Sequence, residues 1–242
     1  MSRVGDRARL EARVARKSFR TASGQSAPVI ADLSFALQQG ETGALIGPSG
    51  CGKSTLMRIL AGLDHDFDGS VHVPVHGRVG MVFQEPLLLP WRSVEDNVRL
   101  AAPKASEAEV AALFGALGLS EHRTHFPGEL SVGLARRAAL ARAFAVRPTL
   151  LLLDEPFVSL DAPLARQLQR DLARLVESRG MITVLVTHDI DEAIALADRI
   201  FVLSARPAHV VGEIEVKAPR ASMSDEEHKA VAARIEALRE AG

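Results

Sequence analysis

Nine consecutive residues, Gly47-Pro48-Ser49-Gly50-Cys51-Gly52-Lys53-Ser54-Thr55, fit the phosphate-binding pattern G-x-x-x-x-G-K-[ST] in full. Each part of the pattern answers a need of polyphosphate binding. The glycines let the main chain approach a ligand with no Cβ in the way, so that successive N–H groups form an anion-binding nest. Lys53 supplies a mobile positive charge for the β and γ phosphates, and the Ser54 hydroxyl is suited to Mg²⁺. A second chemical feature lies about a hundred residues on. The apolar run Leu150–Leu153 ends in Asp154 and Glu155. A buried strand that delivers an acid at its C-terminal end places it where α/β folds bind ligands. Asp154 is therefore a candidate for holding Mg²⁺, and Glu155 for polarising a water for attack on a γ-phosphate. Gln84 and His188 each follow an apolar strand-like run, Val79–Phe83 and Ile182–Thr187 respectively. They are candidates for sensing Mg²⁺ with the attacking water and for a hydrogen bond to the γ-phosphate.

These groups need elements to hold them. Glu41–Ile46 reads as a short buried strand ahead of the glycine-rich loop, and Ser54–Leu60 as a helix whose N-terminus adds partial positive charge behind it. Leu10–Arg16 and Ile30–Leu37 alternate like strands, with a turn over Ser23–Pro28 between them. Gly69–Val73 and Gly77–Phe83 read as further strands. From Pro86 to Val146 the texture changes to short helical patterns at Val94–Leu100, Glu107–Leu117 and Gly133–Val146, broken by Pro and Gly. Strand and helix then alternate: Leu150–Leu153, Pro163–Ser178, Ile182–Thr187, Ile190–Ala197 and Arg199–Leu203. Alternation of this kind implies an α/β fold built on a mixed, mostly parallel sheet with helices on both faces. The expected organisation is one domain. Residues 8–85 and 149–216 form its core, with an N-terminal antiparallel β part, and 86–148 form an inserted helical subdomain. A C-terminal helix lies within 217–242 and opens on a capping box, Ser224 to Glu227.

Bulk properties narrow the function classes. The 242 residues carry 29 Lys+Arg against 30 Asp+Glu, a net charge of −1 that gives no electrostatic ground for nucleic-acid binding. The single cysteine, Cys51, has no internal disulfide partner, and its place in the loop suits a small packed residue rather than a reactive thiol. The charged N-terminus has no apolar core of the kind a secretory signal needs, and no stretch is long and apolar enough to span a bilayer. The expected location is the cytoplasm, peripheral on the inner face of the cell membrane.

In order, the loop 47–55, Gln84, Leu130-Ser131-Val132-Gly133-Leu134, Leu150–Glu155, Ser159-Leu160-Asp161 and His188 together resemble the nucleotide-binding subunit of ABC transporters. The resemblance covers roughly residues 8 to 216. It implies ATP and Mg²⁺ as cofactors and a head-to-tail dimer of two copies that sandwiches two ATP molecules. Ser131 and Gly133 of one copy would then meet the phosphates held by the other, and Asp161 would link the two sites. It also implies that transmembrane permease subunits dock on the helical subdomain, and that a solute-binding protein acts indirectly. Phe19 stands where the family often stacks adenine on a tyrosine, and this chain has no tyrosine. The run Gln84–Trp91, with Arg92–Asn97 after it, is similar to subunits of nitrate, sulfonate and taurine importers, as are Leu203–Pro207 and Val210–Ile214. Trp91 fits either an anchor for the permease or a core residue. Ala208 stands where that group usually has glycine.

The signature segment departs from the family's Leu-Ser-Gly-Gly-Gln, with Val132 for a glycine and Leu134 for the glutamine. A β-branched side chain does not readily take a glycine-only conformation. That keeps a low-turnover regulatory subunit as an alternative to a working ATPase. An ABC-type ATPase of repair or translation is a second alternative, though such proteins typically carry two cassettes, coiled-coil insertions or basic surfaces.

Overall fold

In the computed structural model, residues 9–22, 24–74, 77–216 and 223–242 are described. The charged residues 1–8 and the segment 217–222 ahead of the C-terminal helix lie outside them, as does Ser23 of the expected turn. The chain divides into two compact units, residues 1–76 with 180–242 and residues 77–179.

The first unit holds two sheets. Strands β1 (Arg9–Arg20), β2 (Ser26–Gln38) and β4 (Asp68–His72) form an antiparallel sheet in the order β2-β1-β4. The sequence reading made β2 too short. Ser26 to Pro28, assigned to a turn, belong to the strand, and Pro28 lies opposite Ser18 at a register shift. Proline is tolerated there because a shift already interrupts the hydrogen-bond ladder. The second sheet contains β7 (Ile182–Thr187), β3 (Thr42–Ile46) and β8 (Arg199–Leu203), mutually parallel, with β9 (Val210–Glu215) antiparallel on the edge. Every residue of β3 and β7 is buried, which is why both read as unbroken apolar runs rather than alternating ones. Helix α1 (Lys53–Leu60) follows β3, and α6 (Ile190–Leu196) follows β7. Helix α7 (Asp225–Ala241) opens on the expected Ser224–Glu227 capping box. It packs against β9, where a Cβ on Gly212 would come within 2.7 Å of Leu238.

The second unit holds the parallel pair β5 (Val79–Val82) and β6 (Leu150–Asp154). Helices α2 (Val94–Ala101), α3 (Glu107–Ala116), α4 (Val132–Ala145) and α5 (Ala162–Arg179) accompany it. Six of its residues from Ala138 to Phe144 are buried apolar side chains on successive faces, so α4 is the unit's central helix. It lies close enough to β5 that a Cβ on Gly80 would meet the Ala143 carbonyl at 2.7 Å. Parallel strands, an antiparallel N-terminal sheet and flanking helices are the α/β fold class read from the sequence.

Candidate functional site

The first unit gathers the phosphate loop. It leaves the C-terminal end of β3, the strand flanked on both sides by parallel neighbours, and runs directly into α1. Gly50 and Gly52 take φ of 75° and 128°, conformations that L side chains rarely adopt. Gly52 is the N-cap of α1 and offers no side chain to the first-turn N–H groups, which are left for an incoming anion. Lys53 is buried and folds back on the loop itself. Its Nζ donates to the Gly47 carbonyl at 2.7 Å and to the Pro48 carbonyl at 3.0 Å. The ammonium thus already lies inside the ring of backbone that a phosphate would enter. Cys51 is 2% exposed, in keeping with a packed residue and not with a solvent-facing thiol. Ser54 is exposed and Thr55 half-buried, at the mouth of the same helix, while Pro48 and Ser49 form the loop's outer turn.

His188 belongs to the same unit. Ile46 pairs with Thr187 in the parallel register, so Gly47 and His188 leave neighbouring strands at the same edge. The turn that carries His188 is tied down on both sides. Thr187 Oγ1 donates to Glu192 at 2.5 Å and accepts from the Asp189 N–H at 3.0 Å, and Asp189 caps α6. From the C-terminal helix, Arg239 donates to the His188 carbonyl at 3.2 Å. No local pattern points to that last contact, whose partners are 51 residues apart. Phe19, near the end of β1, presents an exposed ring, with 47% of the residue open to solvent.

The second unit gathers the acids and the signature segment. Val82 pairs with Leu153, so Gln84 and the Asp154–Glu155 pair emerge from the same edge of β5 and β6. Asp154 is buried, and Glu155 takes φ of 46°, a left-handed conformation seldom held by a residue with a side chain. Backbone strain of this kind collects at functional turns. Ser131 is the exposed N-cap of α4, its Oγ accepting from the Leu134 N–H at 3.3 Å. Val132 occupies the first turn in an ordinary helical conformation and is exposed, so it strains nothing by replacing a glycine. Gly133 is buried against a side chain of α5 that would have to shift to admit a larger residue. A Cβ there would lie 2.5 Å from Leu164 of the same chain. Asp161 caps α5, its Oδ1 accepting from the Leu164 N–H at 2.9 Å.

Arg136 escaped the sequence reading. It is 5% exposed and donates to the Gln84 carbonyl, to the Phe83 carbonyl at 3.4 Å and to the Val158 carbonyl at 3.3 Å. It therefore fastens α4 to the segments carrying Gln84 and Ser159. The available signal was a charged residue inside an alanine-rich apolar helix. Trp91, left open between anchor and core, is 71% exposed, and Leu87 and Leu100 of the same unit are exposed as well. Among the described residues no helix is long and apolar enough to cross a membrane.

Comparison with known proteins agrees with this arrangement. Residues 30–158 match the family model described as ABC transporter. The chain is 44% identical over 208 residues to the aliphatic sulfonates import ATP-binding protein SsuB 2 of Pseudomonas syringae pv. tomato, covering 86% of this chain and 87% of the relative. To the SsuB 1 protein of Streptomyces avermitilis it is 46% identical over 202 residues, covering 83% and 76% respectively. Among solved structures it is similar to the dimeric post-hydrolysis state of the ATP-binding cassette MJ0796 bound to ADP and Pi. That match has a TM-score of 0.75 and 26% identity over 86% of this chain and 99% of the other.

Proposed function

The chain belongs to the ABC transporter family, and from that premise we propose that it is the ATP-binding and ATP-hydrolysing subunit of an importer of aliphatic-sulfonate type. The observation that carries the reading is the complete phosphate loop on β3, with Lys53 already directed into it. ATP is the nucleotide and Mg²⁺ its companion ion. The uncapped first turn of α1, with its free N–H groups, fits a polyphosphate. Ser54 and Asp154 would hold the ion, which supplies charge neutralisation for the phosphates, and Gln84 would sense it together with the attacking water. Lys53 and the loop N–H groups leading into α1 orient the phosphates. Glu155 accepts the proton of that water as its oxygen forms a bond to the γ-phosphorus and the bond to the departing ADP oxygen breaks. His188 donates a hydrogen bond to a γ-phosphate oxygen, and Phe19 stacks on the adenine.

Two copies close head to tail on two nucleotides. Ser131 of one copy, at the N-terminus of α4, addresses the γ-phosphate held by the other, with Gly133 behind it and Asp161 linking the two sites. Residues 86–148 act as the helical subdomain on which transmembrane permease subunits dock, and Trp91, Leu87 and Leu100 are exposed apolar side chains within it. The core then comprises 8–85 and 149–216, with the C-terminal helix after it. A solute-binding protein joins indirectly. The protein works on the cytoplasmic side, peripheral on the inner face of the membrane.

Steady-state phosphate release by the complex with its permease tests the chemistry. Glu155→Gln keeps the side-chain shape but removes the base, so turnover should fall by about 10²–10⁴-fold, the usual worth of a general base. Nucleotide binding should persist. Wild-type turnover in this variant would show that the base lies elsewhere. Affinity capture from solubilised membranes should recover a permease, and recovery of none would overturn the transport reading.

A further inference from the structure

Strand β1 carries an irregularity at Ala15. Leu10, Ala12 and Val14 face inward at every second residue. Against β4 the register then passes from Val14 opposite Gly69 to Arg16 opposite Asp68, leaving Ala15 as an extra residue. A bulge of this kind moves the inward-facing positions by one. Lys17 is therefore turned inside, where it is 2% exposed.

A buried ammonium needs partners, and Lys17 has a full set. Its Nζ lies 2.9 Å from Asp64 Oδ1, 2.5 Å from the Asp66 carbonyl and 3.3 Å from Asp66 Oδ2. Three acceptors use all three N–H groups of the ammonium. Burial disfavours its charge, but the bonds to Asp64 and Asp66 outweigh that and hold its pKa above the ordinary lysine value. Asp64 is held below the ordinary carboxylate range, because the hydrogen bond from Lys17 overcomes its own burial. The ion pair is thus fixed, and it has a defined place. The Asp64 N–H donates to the Arg58 carbonyl of α1 at 3.2 Å, and that of Leu63 donates to the same carbonyl at 2.8 Å. Asp64 is consequently part of the C-terminal cap of the helix whose N-terminus forms the phosphate loop. Eight helical residues, about 12 Å, separate the two ends.

The same ammonium lies 4.7 Å from the centroid of the Phe19 ring. A cation at that distance is attracted by the ring quadrupole and draws electron density toward itself. Phe19 is 47% exposed, so part of the residue stays open to a ligand while Lys17 lies against the ring.

We infer that Lys17 is a positioning residue for recognition of the nucleotide base, holding the Phe19 ring ready for stacking and linking it through Asp64 to the helix behind the phosphate loop. The inference rests on the proposed role of Phe19 as the base platform. It assigns to Lys17 an effect on binding of the base, through the ring that its ammonium faces, and none on binding of the phosphates.

The test is the dissociation constant of the full chain for Mg·ATP, and separately for Mg·tripolyphosphate, which has no base. Lys17→Met should weaken ATP by roughly three- to tenfold, the cost of immobilising one side chain on binding, and leave tripolyphosphate unchanged. Lys17→Arg, which keeps the cation, should recover most of the loss. Phe19→Ala should show the same selective defect. If Phe19→Ala binds ATP as well as wild type, the base platform itself is wrong. If Phe19→Ala is defective and Lys17→Met is not, the inference about Lys17 falls while the platform stands. An equal loss for ATP and tripolyphosphate in Lys17→Met would make Lys17 a general structural residue and also overturn it. Should Lys17→Met not fold, Asp64→Asn loosens the anchor and should reproduce the selective loss in weaker form. No effect on ATP there refutes the inference.

Discussion

Replacing Lys53 by methionine separates what this side chain does for the empty loop from what it does for the nucleotide. Methionine is unbranched and of similar length, so the replacement opens little space. Two hydrogen bonds disappear, to the Gly47 and Pro48 carbonyls. They are not equivalent. The Pro48 carbonyl also accepts from the Cys51 N–H at 3.2 Å and remains satisfied, whereas the bond to Gly47 is the buried one. The loss is therefore that of one charge-assisted bond, about 2 kcal/mol. At about 2–4 °C per kcal/mol for a chain of this size, the nucleotide-free protein should melt about 4–8 °C lower. Wild type at a nucleotide concentration of about 100 times its dissociation constant gains about 2.7 kcal/mol. The variant should gain almost none, because the charge that met the β and γ phosphates is gone. Thermal unfolding with and without Mg·ATP reads both effects in one experiment. An unchanged midpoint without nucleotide would show that the two bonds do not brace the loop. An ATP-dependent rise equal to that of wild type would refute Lys53 as a phosphate ligand.

Arg137 and Asp171 form a buried ion pair at 3.0 Å, and Arg137 also donates to the Leu117 carbonyl at 2.9 Å. Asp171 keeps a second partner in Arg174 at 2.5 Å, so Arg137→Met should cost about 1.5–3 kcal/mol in urea unfolding, the worth of a hydrogen bond to a charged group. The double variant with Asp171→Leu should lose less than the two single variants together; strict additivity would argue against the pair. Glu95 is held at about 2, from an ordinary 4.5, chiefly by its hydrogen bond from Arg123 and also by that from Arg99. A depressed carboxylate pKa gives stability present above the unfolded value and lost as pH falls through the folded one. The advantage of wild type over Glu95→Gln should accordingly narrow between pH 4.5 and about 2, and a gap independent of pH would contradict the assignment. Restoring the family's signature by Val132→Gly with Leu134→Gln should preserve or raise ATPase turnover, since Val132 is exposed and unstrained. A large loss would show that the two side chains are fitted to this protein's own dimer.

The parts of the site that were legible in the sequence are those formed by contiguous chain. A phosphate loop binds through successive backbone N–H groups, so its nine residues carry nearly all of its geometry, and the strand before and helix after are fixed by local burial and periodicity. The same holds for the Ser224–Glu227 capping box, where both hydrogen bonds close within three residues. Asp154 and Glu155 were legible because an apolar run ending in acids places them at a strand end. Their surroundings were not, and neither was the left-handed conformation of Glu155.

What escaped depends on partners far along the chain. The true start of β2 is set by pairing with β1, which overrides the turn preference of Ser-Ala-Pro. Whether Trp91 is exposed, whether Val132 strains its helix and what fills the space beside Gly133 are decided by which elements pack there. Lys17 reads as one more charge in a basic strand, and only a bulge and two aspartates 47 and 49 residues away make it a buried cation beneath a ring. The sequence by itself determined that a nucleoside triphosphate is bound, because that chemistry is written in the adjacent peptide groups of residues 47–55. The tertiary structure alone decided how those residues are braced, since hydrogen bonds and burial between distant segments form only when the chain has folded.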